Sequence, residues 1–210
     1  MCSNFQPNKP MRNEWVKQHF DCDFPNTPWR EETYPAPFIY LDNGKPRCEL
    51  AQFGLVPHWA TDKKKFGLKT YNARSETVAE KPRYRAAWKE RRFGLAIMES
   101  FYEPNWETGK AVRWCIKRSD GDPIAVASIW ERVIGKETGE VIFSFSMLTI
   151  NADGHEMMKH FHSKEGEKRS IVVLNETEYQ EWLHAKHDQA KSLLKLAAKD
   201  FLASEPAPRL

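Results

Sequence analysis

The sequence has no long apolar run and no export signal. Its apolar stretches fall far short of the roughly 20 residues that a membrane-spanning helix needs. Residues 1–30 also lack the apolar core of a signal peptide. These absences argue against helical membrane spans, and we expect a soluble, cytoplasmic protein without a membrane partner.

Paired cysteines and clustered metal ligands are also missing. The four cysteines are widely spaced and form no C-x-x-C pair: Cys2, Cys22, Cys48 and Cys115. A zinc site is therefore not expected. Without an export signal, disulfides are not expected either, so Cys22, Cys48 and Cys115 are interpreted as free thiols. His155 and His160 would lie about 140° apart around a helix and would not share one face. We expect no metal and no organic cofactor.

Apolar patterns predict an α+β fold. No repeat, low-complexity run or clear linker divides the chain, which favours one domain over residues 1–210. The predicted strands cover residues 38–41, 48–53, 93–98, 112–117, 124–130, 141–150 and 170–174. Helices are predicted over 8–20, 79–92, 151–161 and 193–201, and residues 204–210 are expected to fray. Strands joined by hairpins indicate an antiparallel, barrel-like β-sheet with peripheral helices.

Two short motifs predict local structure more sharply. Asp42-Asn43-Gly44 separates two strand patterns and therefore predicts a tight hairpin turn. Asn175 has Glu178 three residues later, which is typical of a helix capping pair.

Basic charge is concentrated in one segment. Residues 62–92 contain eleven Lys and Arg against four Asp and Glu, a net charge of +7, whereas the whole chain carries only +3. Tyr71, Tyr84 and Trp88 are interleaved with these charges. Basic and aromatic residues together suit a single-stranded nucleic acid, with phosphates on the cations and bases stacked on the rings. The alternative is a solvated helix face with no partner.

The N-terminus offers a different chemistry. Met1 precedes a small residue, so its removal is expected and the mature chain would begin at Cys2. Such a residue carries an α-amine with a pKa of roughly 7.7–8.0 beside a thiol with a pKa of about 8.5. The amine can form a Schiff base with an aldehyde, and the thiolate can then close on the imine carbon to give a thiazolidine. Many chains begin Met-Cys by chance, so the dipeptide alone indicates little.

Several motifs occur in the order typical of one family. They are Met1-Cys2, Phe53-Gly54-Leu55-Val56-Pro57-His58-Trp59, Asn72-Ala73-Arg74-Ser75-Glu76-Thr77, Phe101-Tyr102-Glu103, and a histidine upstream of Arg169-Ser170-Ile171-Val172-Val173-Leu174. Over about residues 1–185 the chain resembles the SRAP family, the SOS-response-associated peptidases, whose members are read as abasic-site processing proteins. The resemblance implies an α+β fold on a barrel-like antiparallel sheet, with the N-terminus in a groove that binds single-stranded DNA.

The resemblance also implies catalytic roles. Cys2 would form the crosslink, Asn72 would hold its amine and the ring by hydrogen bonds, and Glu103 would shuttle protons. His162 would assist proton transfer to the sugar oxygen. His160 is the alternative, because six residues separate His162 from the arginine of the motif, whereas the family has a compact spacing.

DNA contacts are expected on the same grounds and from the basic segment. The candidates are Arg74, Trp59, Arg83 and Arg85. The chain departs from the family at several positions: Asn4 stands where an arginine is common, Ser100 where glycine is usual, and Pro104 where tryptophan is usual. These changes bear on DNA affinity more than on the crosslinking chemistry.

We therefore interpret the chain as a DNA-damage protein that crosslinks to abasic sites in single-stranded DNA. The Cys2 amine would attack the aldehyde of the opened sugar, and its thiol would close a thiazolidine. Weak β-elimination, an AP-lyase activity, would be a by-product. Two alternatives stay open. A thiol peptidase would use Cys2 with His162 and Glu103 or Asn72, and its reach could be limited to removal of Met1. A nucleic-acid-binding module without chemistry would use the basic segment alone.

Overall fold

The computed structural model describes residues 2–9, 12–24, 35–135, 139–163 and 165–208. Within them the strands are β1 Phe5–Pro7, β2 Ala36–Asp42, β3 Lys45–Phe53, β4 Asn72–Arg74, β5 Phe93–Asn105, β6 Val112–Arg118, β7 Ile124–Ile134, β8 Val141–Asn151, β9 Arg169–Ile171, β10 Val173–Leu174 and β11 Leu202–Pro206. The helices are α1 Asn13–Phe20, α2 Lys63–Gly67, α3 Arg85–Lys89, α4 Tyr179–His184 and α5 His187–Leu193. In this part of the chain no helix is long and apolar enough to cross a membrane. A large sheet with few helices confirms the predicted mixture of α and β structure.

Strand β5 connects most of the sheet. One edge of its 13 residues pairs with β2 and then β1, and the other pairs with β7 and then β6. β7 continues to β8, β8 to β3, and β3 to β2. The series of paired strands therefore begins at one edge of β5 and ends at its other edge.

The sheet is not wholly antiparallel, so that part of the prediction is wrong. β8 pairs in parallel with β3, where Gln52 faces Ser144, and with β4, where Asn72 faces Met147. Strands joined by a tight hairpin must be antiparallel, but long connections allow either direction. Both β3 and β4 reach β8 through long stretches of chain.

Both local motifs are confirmed. Asn43 and Gly44 adopt φ angles of 50° and 76° in the two-residue loop between β2 and β3, as a hairpin turn with positive φ at both positions requires. Asn175 accepts a hydrogen bond from the Thr177 N–H, and Glu178 accepts one from the Asn175 N–H at 3.0 Å. This capping box begins the short 3₁₀ turn that leads into α4.

The predicted helices are shorter than expected or absent. The first is reduced to α1, and only α3 is α-helical within residues 79–92. The helix predicted over 151–161 is wrong: Asn151 still pairs with Arg169 in the sheet, and only Met158–His160 forms a 3₁₀ turn. Sheet pairing outweighs the weak local preference that the pattern expresses.

The C-terminal segment is a strand, which corrects both the predicted helix over 193–201 and the predicted frayed tail. α5 ends at Leu193, and β11 pairs with β6 from Leu202–Arg118 to Pro206–Trp114. The pairing satisfies backbone groups on β6 that a free sheet edge would leave unpaired. A local sequence pattern does not report that distant edge. Residues 209–210 lie outside the described residues.

Alternate residues of β5 supply two apolar clusters. Leu95 and Ile97 belong to one cluster, whereas Ala96 and Met98 belong to the other, because successive side chains of a strand point to opposite faces. The first cluster also contains Trp182 of α4, whose indole N–H donates to the Gly94 carbonyl at 3.0 Å. The second contains the aromatic rings of β2, β3 and β8 and also Cys2.

Cys22 and Cys48 form a disulfide, so their interpretation as free thiols is wrong. Their Cα atoms lie 5.8 Å apart, although 26 residues separate them in sequence. Asp21 has a φ of 52° at the end of α1, which turns the chain so that Cys22 faces β3. Sequence spacing does not reveal this tertiary proximity. Cys115 is a free thiol, as predicted.

Gly94→Ala should destabilise the protein, because a Cβ at this position would contact the Phe38 ring and lie 2.7 Å from the Ile39 carbonyl oxygen. Overpacking of this kind costs about 1–3 kcal/mol. Gly154→Ala is the matched control, since nothing lies within 4 Å of its Cβ position. Urea unfolding midpoints measure both changes. Equal midpoints for the two variants would contradict the close packing at Gly94.

Candidate active site

Strand β1 carries Cys2 to β5. The Asn4 carbonyl accepts a hydrogen bond from the Tyr102 N–H at 2.9 Å, and the Cys2 side chain is only 1% exposed. Burial raises the pKa of the Cys2 thiol, and the charge of Glu103 raises it further. Cys2 and Glu103 therefore share one site. Met1, whose removal is predicted, lies outside the described residues.

Asn72 also contacts Cys2. Its Nδ2 donates to the Cys2 backbone carbonyl at 2.6 Å. The Asn72 backbone is held in turn by the Tyr84 hydroxyl, which donates to its carbonyl at 2.9 Å. Asn72 Oδ1 is buried and has no hydrogen-bond partner among the described residues. A buried acceptor without a donor is costly, so this oxygen is suited to an N–H donor at the N-terminus.

Glu103 lies near the end of β5 with its side chain directed inward. It is 4% exposed, and burial raises its pKa from 4.5 to about 7. Both protonation states are therefore populated near neutral pH. A carboxyl group with this pKa can both donate and accept a proton during a reaction.

His162 lies beside Glu103 in a constrained backbone conformation. Its φ is 69°, in the left-handed region that is unfavourable for residues other than glycine. Its N–H donates to the Pro104 carbonyl at 3.0 Å, and its Nε2 lies 3.0 Å from the Arg169 carbonyl oxygen. These contacts hold the ring so that Nδ1 lies 3.6 Å from Glu103 Oε2.

The hydrogen-bond partners define the protonation of this pair. Burial lowers the pKa of His162 to about 4, so its ring is neutral at pH 7. Because the Arg169 carbonyl can only accept a hydrogen bond, Nε2 carries the ring hydrogen and Nδ1 is unprotonated. Nδ1 therefore faces a carboxyl group that is partly protonated. This arrangement suits proton transfer rather than a permanent ion pair.

His160, the alternative to His162, lies elsewhere. Its Nδ1 is 3.0 Å from Glu107 Oε1, and both side chains are well exposed. The structure thus brings His162, and not His160, next to Glu103. The catalytic role of His162 stays a prediction.

The described residues contain no group of three or more His, Cys, Asp or Glu that could hold a metal ion. His155 has a structural environment instead. Its Nδ1 accepts hydrogen bonds from the backbone N–H groups of Met157 and Met158 at 3.1 Å, and its Nε2 lies 3.2 Å from the Ala197 carbonyl oxygen.

A row of alternating charges borders the site, and sequence reasoning missed it. The buried Arg169 binds Glu76 through two hydrogen bonds of 3.0 and 2.9 Å and also contacts Glu167 at 2.6 Å. Glu167 in turn lies 2.8 Å from Arg74, a predicted DNA contact. Arg169 was visible in the sequence only as part of a motif. No local signal links it to Glu76, 93 residues away.

Two of the other predicted DNA contacts, Trp59 and Arg83, lie around Phe66. Trp59 is 48% exposed and packs edge-on against Phe66 at 5.0 Å. Arg83 lines an open pocket of about 310 Å³ together with Lys65, Lys69 and Phe66. Arg85 is exposed on α3. The structure therefore groups Trp59 with Arg83, whereas Arg74 lies next to Asn72.

The aromatic residues of the basic segment are mostly structural, which corrects their interpretation as base-stacking platforms. Tyr84 and Trp88 are only 6% and 5% exposed and belong to the apolar core. Tyr71 is half-buried and stacks on Phe53 with ring centroids 4.4 Å apart. Interleaving in sequence does not place rings on the same face as the charges.

Comparison with known proteins identifies the family. The model of the SOS response associated peptidase (SRAP) family matches residues 3–207. The chain belongs to this family. The match extends past the 1–185 over which the motifs were recognised and includes β11.

Relatives of this SRAP protein include two proteins of Bacillus subtilis (strain 168). Abasic site processing protein YoqW is 30% identical over 160 residues, which cover 74% of this chain and 67% of that protein. Abasic site processing protein YoaM is 30% identical over 190 residues, 85% of this chain and 79% of that protein. A crystal structure from Bordetella bronchiseptica has a TM-score of 0.86 at 28% identity and covers 99% of this chain and 100% of its own.

Glu103→Gln should change how the stability of this SRAP protein depends on pH. The pKa of Glu103 is raised from 4.5 to about 7 in the folded protein, so stability from its proton is fully present below pH 4.5 and falls as pH rises to 7. We expect wild type to lose about 3 kcal/mol relative to Glu103→Gln across this window. Urea unfolding at several pH values measures the difference. A constant difference across the window would contradict the raised pKa.

Proposed function

We propose that this SRAP protein captures abasic sites in single-stranded DNA and holds them as a covalent adduct on Cys2. The observation that carries the proposal is the burial of Glu103 near Cys2, because a carboxyl group with a pKa of about 7 is suited to donating and accepting a proton there. The abasic-site names of the Bacillus relatives support the substrate class. The proposal makes the protein a DNA-processing enzyme without an organic cofactor.

The reaction begins once Met1 has been removed. The free Cys2 amine adds to the aldehyde of the opened sugar to give a carbinolamine. Protonated Glu103 then gives its proton to the departing hydroxyl group, which leaves as water, and a protonated imine remains. The resulting carboxylate takes the proton of the Cys2 thiol. The sulfur adds to the iminium carbon, the electron pair of the C=N bond moves to the nitrogen, and the thiazolidine closes with Glu103 protonated again.

Neighbouring groups support these steps. Asn72 already binds the Cys2 carbonyl, and its Oδ1, which has no hydrogen-bond partner among the described residues, is suited to accept a hydrogen bond from the new amine. His162 presents a neutral Nδ1 toward Glu103 and is suited to move a proton to or from the sugar oxygen. An imine that persists would also acidify the adjacent sugar carbon, so weak AP-lyase activity accompanies capture.

The strand would pass over the positively charged patches. Arg74 borders the site, Trp59 and Arg83 lie around Phe66, and Arg85 is exposed on α3. Phosphate contacts by arginine and stacking on an exposed tryptophan are how proteins bind single strands without reading sequence. The strand pairings run from one edge of β5 round to its other edge, and we interpret this arrangement as the barrel-like sheet that supports the DNA-binding surface.

The thiol state favours capture over peptide hydrolysis. Burial and the Glu103 charge raise the pKa of the Cys2 thiol, which leaves it protonated at neutral pH. A thiol peptidase needs the thiolate as its first nucleophile. The capture mechanism instead begins with the amine and needs sulfur only for ring closure.

Cys2→Ala, with Met1 removed, should separate the two nucleophiles. It keeps an α-amine in place, so it should form an imine with an abasic-site oligonucleotide that borohydride traps. It should give no heat-stable adduct, because no sulfur can close the ring. A form that retains Met1 should do neither. Intact mass establishes the N-terminus of each protein, and denaturing gels with and without borohydride measure the adducts.

Cys115→Ala is the matched control, because it removes the other free thiol and should leave the heat-stable adduct intact. A heat-stable adduct from Cys2→Ala would contradict the thiazolidine mechanism. The peptidase alternative predicts that Cys2→Ala keeps Met1 when cleavage is autocatalytic, and the mass measurement detects that outcome.

Glu103→Gln should slow adduct formation by about 10²–10⁴-fold, the usual contribution of a general acid–base group. Its affinity for intact single-stranded DNA should be unchanged, since the residue is only 4% exposed. Glu107→Gln, which alters the exposed carboxylate beside His160, should crosslink at the wild-type rate. Single-turnover kinetics on denaturing gels provides the measurement. A wild-type rate for Glu103→Gln would assign it a structural role only.

A further inference from the structure

An acidic side chain contacts the arginine that the proposed function assigns to a DNA phosphate. Arg74 Nη1 lies 2.8 Å from Glu167 Oε2, and the other carboxylate oxygen of Glu167 lies 2.6 Å from Arg169 Nη1. The Arg169 guanidinium holds the pKa of Glu167 below its ordinary value, so Glu167 is ionised at neutral pH. Carboxylate and phosphate oxygens bind guanidinium groups in the same way.

This ion pair lies at the edge of the candidate active site. Arg74 follows Asn72 by two residues in β4, and the intervening Ala73 is buried, so Asn72 and Arg74 leave the same face of the strand. On the other side, Glu167 precedes Arg169, whose carbonyl binds the His162 ring. A strand whose abasic site enters at Cys2 would bring its nearby phosphates toward Arg74.

We propose that Glu167 is an internal competitor of DNA. Its carboxylate holds Arg74 in the free protein and competes with a phosphate of single-stranded DNA for the Arg74 guanidinium. Glu167 thereby sets the affinity of the site for the strand. This inference rests on the proposed function.

The contact can break without disturbing the fold. The Glu167 and Arg74 side chains are 35% and 50% exposed. Arg169 keeps both hydrogen bonds to Glu76 and a further one to the Thr149 carbonyl at 2.7 Å. The backbone beside Glu167 is fixed separately, because the Lys168 N–H donates to Asp153 at 3.2 Å. Only the Glu167 side chain needs to move.

The same charge also opposes the strand directly. A carboxylate beside the path of a polyanion repels it, and an exposed ion pair is worth only a small free energy. Removing the carboxylate should therefore strengthen DNA binding modestly, and more at low salt than at high salt. Arg74 should then contribute its full phosphate contact.

Glu167→Gln tests this proposal, because it removes the charge and keeps the shape. We expect its affinity for an undamaged, fluorescein-labelled oligothymidylate to rise about two- to fivefold at about 0.1 M salt. Fluorescence anisotropy measures the binding. Glu165→Gln is the matched control, since it makes the same charge change at an exposed position of the same loop and should change affinity less.

A double-mutant cycle with Arg74→Gln gives the decisive comparison. Glu167→Gln should have little effect when Arg74 is already replaced, and Arg74→Gln should cost more affinity in the Glu167→Gln protein than in wild type. The proposal is overturned if Glu167→Gln leaves affinity unchanged, if Glu165→Gln has the same effect, or if the gain persists without Arg74. Heat-stable adduct formation at saturating abasic DNA is measured in the same proteins. This measurement tests the proposed function separately. If the wild-type protein formed no heat-stable adduct, the proposed function would be wrong.

Discussion

The burial of Glu103 on β5 is the constraint on which the site depends. β5 pairs with β2 and β1 on one edge and with β7 and β6 on the other. Four partner strands fix the backbone on which Glu103 is displayed, and β1 brings Cys2 to the same strand. The carboxyl group is largely shielded from water, so its pKa rises to about 7. An exposed glutamate would stay ionised at neutral pH and could not donate a proton to a leaving hydroxyl group.

The same burial lowers the basicity of His162 and raises the pKa of the Cys2 thiol. At pH 7 the Cys2 thiol and the His162 ring are therefore neutral, and the Glu103 carboxyl group beside them is partly protonated. The proposed capture mechanism, in which the amine attacks first, needs these protonation states. The carboxyl group must carry a proton for the dehydration step, one imidazole nitrogen must be unprotonated, and the thiol reacts last. One cause, burial in a low-dielectric environment, raises the pKa values of Cys2 and Glu103 and lowers the pKa of His162.

The charged residues outside this pocket are organised differently. Arg169 is buried with Glu76 and Glu167 around it. Its backbone carbonyl binds the His162 ring, and Glu167 links its guanidinium to the surface arginine Arg74. The buried core of this row fixes the histidine, because the Arg169 carbonyl binds its ring. The other end, Arg74 with Glu167, is exposed and is the part that we propose a DNA strand rearranges.

The sequence by itself determined the family, the mixture of helix and strand, the turn at Asn43-Gly44 and the capping box at Asn175. These features depend on contiguous residues, and their physical causes are local: backbone φ preferences and short-range hydrogen bonds. Motif order also gave Asn72, Glu103 and His162 as candidates, and the structure brings them together, although their roles stay predictions.

Only the tertiary structure decided the parallel pairing of β8, the strand at residues 202–206, the Cys22–Cys48 disulfide and the burial of Tyr84 and Trp88. It also decided the Glu76–Arg169–Glu167–Arg74 row and every shifted pKa of the site. Each of these joins residues that are distant in sequence or depends on how much water the fold excludes. A local sequence pattern predicts neither the contacts between distant residues nor the exclusion of water, because both arise only when the strands pair around β5.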